Sequence, residues 1–229
     1  MEHIWEFRVL IAQGTALTVG VALGSLVLSV ILGLIGAWGK LSKSKTANSF
    51  AEGYTTIVRG IPDLVLMLLL FYGGQQLIND IGFKTGLWGY VEFHHFTAGV
   101  GTIGFIFGAY MTETFRGAIL AIPRGQIEAG IACGMPKSLV FRHVIWPQMV
   151  RYALPSFTNN WMVMIKTTAL VSILGLQDLV YIANAVGKKY RDPFTFLLMA
   201  LVIYLILTAF SEFTLRRIER KYSVGVRRA

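Results

Sequence analysis

The chain has 229 residues, 55% of them hydrophobic and only 14% charged, with a mean hydropathy of +0.60. A soluble domain of this length needs far more charge to cover its surface, so a membrane class leads before any motif is read. The formal net charge of +9 would suggest nucleic acid in a soluble protein, so its placement along the chain decides what it means. One cysteine, Cys133, excludes an internal disulfide, and neither His94-His95 nor the other two histidines has metal-ligand spacing. No metal site is expected.

In chain order, the first charges (Glu2, Glu6, Arg8) are mixed and the apolar run behind them is too long for a cleaved secretory signal. That run is expected to stay in the membrane. Crossing a bilayer takes about 20 helical residues. Five stretches meet that need, at residues 13–39, 51–78, 97–122, 155–176 and 194–213. The class expected is therefore an all-α integral membrane protein with five transmembrane helices in one domain, residues 1–229. No internal repeat is visible, and an odd count speaks against a self-contained duplicated carrier.

Lys and Arg placement sets the orientation. Thirteen of them follow the first span, fill the segment between the third and fourth, or lie in the tail; five lie on the other side. Cytoplasmic loops carry the Lys/Arg excess, which puts the N-terminus in the periplasm and the C-terminus in the cytoplasm. The positive charge is then topological, and no nucleic-acid partner is expected. Gly73-Gly74, Gly99, Gly101, Gly104 and Gly108 are expected at close helix contacts. Trp5, Trp88, Tyr90, Trp146 and Trp161 are expected as interfacial anchors against lipid.

The cytoplasmic stretch 123–154 reads as two short helices broken at Gly134-Met135-Pro136, because glycine ends a helix readily and proline opens the next. Small residues at Ala129, Gly130, Ala132 and Cys133 allow another surface to approach. An amphipathic pair too short to span suits docking to a soluble partner; the plainer reading is a helix lying on the membrane.

Glu128, Ala129, Gly130, Gly134, Val144, Trp146 and Pro147 fall at the spacings of the loop E-A-A-x3-G-x9-I-x-L-P. In this the chain resembles the permease subunits of ATP-binding-cassette importers. Gly130, Val144 and Trp146 depart from the pattern but keep its small or apolar character. The polar-amino-acid branch is resembled further in Arg59-Gly60-Ile61-Pro62, in Glu113-Thr114-Phe115-Arg116-Gly117, in Lys166-Thr167-Thr168 and in the tail from Tyr222 to Arg228. The likeness is to the subgroup serving histidine, lysine, arginine, ornithine and opines. It implies a type I importer permease (MetI-like) fold whose coupling helix carries Glu128, Ala129, Gly130, Gly134 and Pro147. It also implies a homodimeric ATP-binding subunit, a sister permease in a heterodimer (a homodimer being the alternative) and a periplasmic amino-acid-binding protein.

No catalytic residue is seen. The chain lacks the Gly-x4-Gly-Lys-Ser/Thr phosphate loop, so no cofactor is expected here, and ATP with magnesium belongs to the partner. Charges inside the spans each need a reason, at about 2.5–3.5 kcal/mol apiece on insertion scales. Arg59 with Asp63, and Glu113 with Arg116, are spaced to neutralise each other on one helix face. Asp63 follows Pro62, where a helix kinks and frees carbonyls, and so is the candidate counter-charge for a cationic substrate. Glu113 either lines the same path or only holds Arg116. Glutamine or opines are the alternative cargo, and a proton-coupled secondary transporter using Asp63 or Glu113 is the alternative class.

Overall fold

A computed structural model describes residues 7–222, and all regular structure among them is helical. The tail from Ser223 to Arg228 and Trp5 lie outside these residues. We number the helices α1 (Arg8–Leu41), α2 (Lys45–Gly60), α3 (Asp63–Thr85), α4 (His95–Leu120), α5 (Arg124–Ala132), α6 (Lys137–Leu174), α7 (Leu179–Lys189) and α8 (Pro193–Tyr222).

The centre of the bundle is a parallel seam between α1 and α4. Its closeness follows from glycine: a Cβ on Gly33 would sit 3.0 Å from the Met111 backbone, and one on Gly104 would sit 2.7–2.9 Å from Leu28. In lipid there is no hydrophobic drive between helices, so such backbone approach supplies the cohesion. Gly99 and Gly108 are packed in the same way, against Val171 and Leu32, whereas Gly101 faces open space. Hydroxyls in the seam donate to their own helix: Thr112 to the Gly108 carbonyl at 2.8 Å, Thr18 to that of Gly14 at 2.9 Å. These two buried hydroxyls are thereby satisfied without water.

α6 runs antiparallel to α4, with Ala118 and Ile122 against Met149 and Ala153 near one end. Further along, Gly99 meets Val171. The C-termini of α1 and α4 and the N-terminus of α6 thus share one end, here called the basic end. α7 packs its Ile182 against Gly14 near the start of α1. α8 lies outermost, with only Phe196 and Ala200 of its 30 residues buried.

Three helices (α1, α3 and α8) are long and apolar enough to cross a membrane, and α6 with α7, bent by 52°, makes a fourth candidate. α4 misses that standard because glycine and threonine dilute its hydropathy. Those residues are there for packing: twelve of its 26 residues are buried. A helix shielded by its neighbours has little lipid to match.

Three boundaries differ from the expectation. The stretch 51–78 is not one helix, because the chain breaks at Ile61 and Pro62, which are extended, and α3 starts afresh at Asp63. Ser44 caps α2 by accepting from the Ala47 N–H. The fourth apolar stretch begins not at 155 but at Lys137, since the second half of the loop 123–154 continues into it. Pro147 has no N–H to give the His143 carbonyl, and a π turn at Phe141–Ile145 absorbs the fault, the Trp146 N–H reaching back to Phe141. The last helix runs on to Tyr222. Trp161 packs against the core cluster rather than standing alone as an anchor.

Candidate functional site

Two features at the basic end carry chemistry: a short outlying helix and a polar cleft.

The outlying helix is α5. Pro123 stands at its N-cap. Its end is a Schellman motif: Gly134 takes φ +79°, its N–H donates to the Ile131 carbonyl at 2.9 Å, and the Met135 N–H reaches the Gly130 carbonyl at 3.1 Å. A left-handed residue in this place favours glycine. Gly130 is the buried point of α5, resting on Val140, Met135 and Val144. Glu128, Ala129 and Ile131 are turned outward, and among the described residues Glu128 has no partner. Pro147 is exposed in the first turn of the straight part of α6. Gly130, Gly134 and Pro147 therefore shape the element, while Glu128 and Ala129 are its free face.

The cleft lies across α2, α4 and α6. It comprises two polar cavities of about 420 and 490 Å³ that share Arg59, Tyr110 and Glu113. Glu113 is its hub. It accepts from Arg116 at 3.0 Å and pairs with the buried ammonium of Lys40, which also meets Glu52 at 2.8 Å. The expected Glu113–Arg116 pair is present, but it is half of a larger cluster joining α1, α2 and α4.

The expected pairing of Arg59 with Asp63 is not made. The Ile61–Pro62 break puts them on different helices, so the four-residue helical spacing no longer applies. Arg59 lies instead over the ring of Tyr110, 5.5 Å from its centre. Asp63 is half-buried in the first turn of α3.

Sequence reasoning missed Lys40, which reads as an ordinary basic residue after a span, and Tyr110, which reads as part of an apolar helix. It also passed over Asn160, whose amide donates to Thr114 at 3.0 Å, and Asp178, a buried cap of α7 accepting from the Tyr181 N–H at 2.9 Å. Only Asp178 had a local signal, an acid directly before an amphipathic helix. Among the described residues no cluster of His, Cys, Asp and Glu suits a metal.

The chain is similar to known proteins along nearly its whole length. The histidine/lysine/arginine/ornithine transport system permease protein HisQ of Escherichia coli K12 is 50% identical over 226 residues, 99% of each chain. The crystal structure of an amino acid ABC transporter with histidines superposes with a TM-score of 0.81 at 29% identity, covering 96% of this chain and 97% of that one. The methionine ABC transporter MetNI, in an inward-facing form, matches with a TM-score of 0.72 over 95% and 98% of the two chains, and at 18% identity it speaks for the fold alone. The model of the binding-protein-dependent transport system inner membrane component matches residues 12–224. With seven eighths or more of the helical bundle inside that match, the chain belongs to the family of binding-protein-dependent transport system inner membrane components.

Proposed function

We propose that this chain is the permease subunit of an ATP-driven importer of basic amino acids, working in a bacterial inner membrane. The likeness to HisQ supports the cargo: histidine, lysine, arginine and ornithine. The observation that carries the coupling is α5, a small helix fixed to the bundle through Gly130, closed by Gly134, and offering Glu128 and Ala129 outward with no internal use.

In this reading α5 seats in a groove of a separate, homodimeric ATP-binding subunit, which holds ATP and magnesium. Closure of that dimer moves α5, and α6, continuous from Lys137, carries the motion into the membrane. The crossings are α1, α3, α4, α6 and α8, five in all, with α2 leading into the second and α7 folded against the start of α1. The N-terminus faces the periplasm and the basic end the cytoplasm, as the Lys/Arg excess directs. A sister permease covers the open side of the cleft, and a binding protein delivers cargo outside.

Asp63 is the counter-charge for the cationic side chain, placed where Pro62 interrupts the backbone. Glu113 lines the same route further toward the basic end, as a carboxylate already held by Lys40 and Arg116.

The test is uptake into vesicles carrying the complete complex. Uptake should need ATP and be stopped by vanadate; uptake driven by a proton gradient alone would overturn the coupling in favour of a secondary carrier. Asp63→Asn should lower the uptake of lysine and arginine more than that of neutral histidine at high pH. Unchanged rates for all of them would take Asp63 off the route.

A further inference from the structure

Arg59 is the charge in the cleft that the cluster does not use. Among the described residues it has no acidic partner: Glu52 and Glu113 are taken by Lys40 and Arg116, and Asp63 lies beyond the Ile61–Pro62 break. Its one recorded contact is the face of Tyr110, midway along α4. Arg59 is exposed at the last turn of α2 and lines both cavities, so its charge is free to meet a ligand there.

Its placement also conflicts with a simple cation path. Both cavities open onto Arg59, so a cation passing toward the basic end must pass a fixed positive charge. The conflict disappears if the cargo presents a negative group at that point. Every free amino acid carries one, its α-carboxylate.

We propose that Arg59 is the carboxylate-binding residue of the substrate route, held over Tyr110 and paired in function with Asp63 across the break in the chain. This rests on the reading that the cargo is a basic amino acid. The guanidinium is planar, always charged and presents a fork of donors that matches a carboxylate. The guanidinium carbon sits over the Tyr110 ring, 5.5 Å from its centre, and Arg59 lines both cavities. Asp63 follows Arg59 by four positions across the Ile61–Pro62 break, at the start of α3. A Cβ on Gly60, which lines the same cavity as Arg59, would meet nothing within 4 Å. Ser156 and Asn159 line the Arg59 side as neutral partners for the α-ammonium. A molecule with a carboxylate at one end and a cation at the other fits this arrangement, and a bare cation does not.

The experiment measures equilibrium binding to the purified complex of this chain with its sister permease and ATP-binding subunit, without the binding protein. The probes are L-arginine and agmatine, which is arginine without its carboxylate. The wild-type complex should prefer arginine by about tenfold or more, the size of a charge-assisted hydrogen-bonded contact. Arg59→Gln should remove that preference by weakening arginine alone, and Arg59→Lys should restore part of it. Asp63→Asn should weaken both probes together and leave their ratio as it was. A wild-type ratio near one overturns the proposal whatever the variants do, and so does an Arg59→Gln complex that keeps the wild-type ratio. If Arg59→Gln abolishes the ratio while Asp63→Asn changes neither affinity, the Arg59 assignment stands and the role of Asp63 falls.

Discussion

The short helix α5 and the polar cleft sit at the same end of the molecule but are built on opposite plans. α5 is mostly local: Pro123 opens it, Gly134 closes it, and its buried Gly130 faces residues no more than fourteen positions ahead, with Ile127 alone packed on the core cluster around Ile122. The cleft is assembled from four helices, and its central pair, Lys40 with Glu113, joins residues 73 positions apart. Changes in α5 should therefore stay in α5, whereas a change to one member of the cleft should be felt by all of it. The division suits the proposed work, since a coupling element must move as a unit and a gated route must rearrange cooperatively.

The largest expected effect breaks the cleft. Lys40 is only 5% exposed at its side chain and Glu113 19%, so Lys40→Met leaves a largely desolvated carboxylate with Arg116 alone. Removing one partner of a buried pair costs about 3 kcal/mol. Thermal unfolding of the purified complex should show it as a large fall in stability. The double change Lys40→Met with Glu113→Gln should recover much of the loss, because neither charge is then stranded. If the single and double variants are equally stable, the cluster is not a coupled unit and the contrast with α5 fails.

The next effect belongs to α5. Gly134→Ala puts a Cβ on a residue at φ +79° and should cost about 1–2 kcal/mol, confined to the Schellman turn. Substrate binding should be preserved while ATP-dependent uptake falls. Equal loss of both would mean that the turn supports the whole bundle and not the docking helix.

This difference in plan also decides what the sequence disclosed. Gly134, Pro136 and the glutamate-alanine pair at 128–129 make a readable signature because their physics acts between near neighbours. The break between α2 and α3 was half-legible: Pro62 marked a kink, but hydropathy ran on across it, so a single span was expected and Arg59 was assigned to Asp63. The opposite error occurred at the start of the fourth span, expected at 155, where the helix instead runs from Lys137 through Pro147, after a π turn, and on through Pro155. Lys40 could not be recognised at all. Nothing near position 40 announces a glutamate two helices away; only the parallel α1–α4 seam, itself set by glycines on both sides, brings them together. The stretch 97–122 was expected as a span, yet α4 is less apolar than α1 or α8 because packing there favours small side chains.

A smaller effect tests the edge of the cleft. Glu52 is 60% exposed at its side chain, so its bond to Lys40 is screened by water, and Glu52→Gln should cost at most about 1 kcal/mol. Its loss should shrink as salt is raised, whereas that of Lys40→Met should not.

The smallest effect tests α5 where it departs from the related pattern, at Gly130 in place of alanine. A Cβ there would lie 3.4 Å from Val140, 3.7 Å from the Met135 sulfur and 3.8 Å from Val144, all ordinary contacts. The space for a methyl group already exists, so nothing in the packing requires glycine. Alanine also loses less backbone freedom in a helix, by about 0.5–1 kcal/mol in a helix interior and less in a last turn. Gly130→Ala should therefore leave thermal stability unchanged or raise it slightly, with uptake at the unaltered level. A loss of uptake with stability intact would have one physical meaning: Ala129 and Glu128 had been tilted, and the partner's groove reads the angle at which α5 is held as well as the residues on its face.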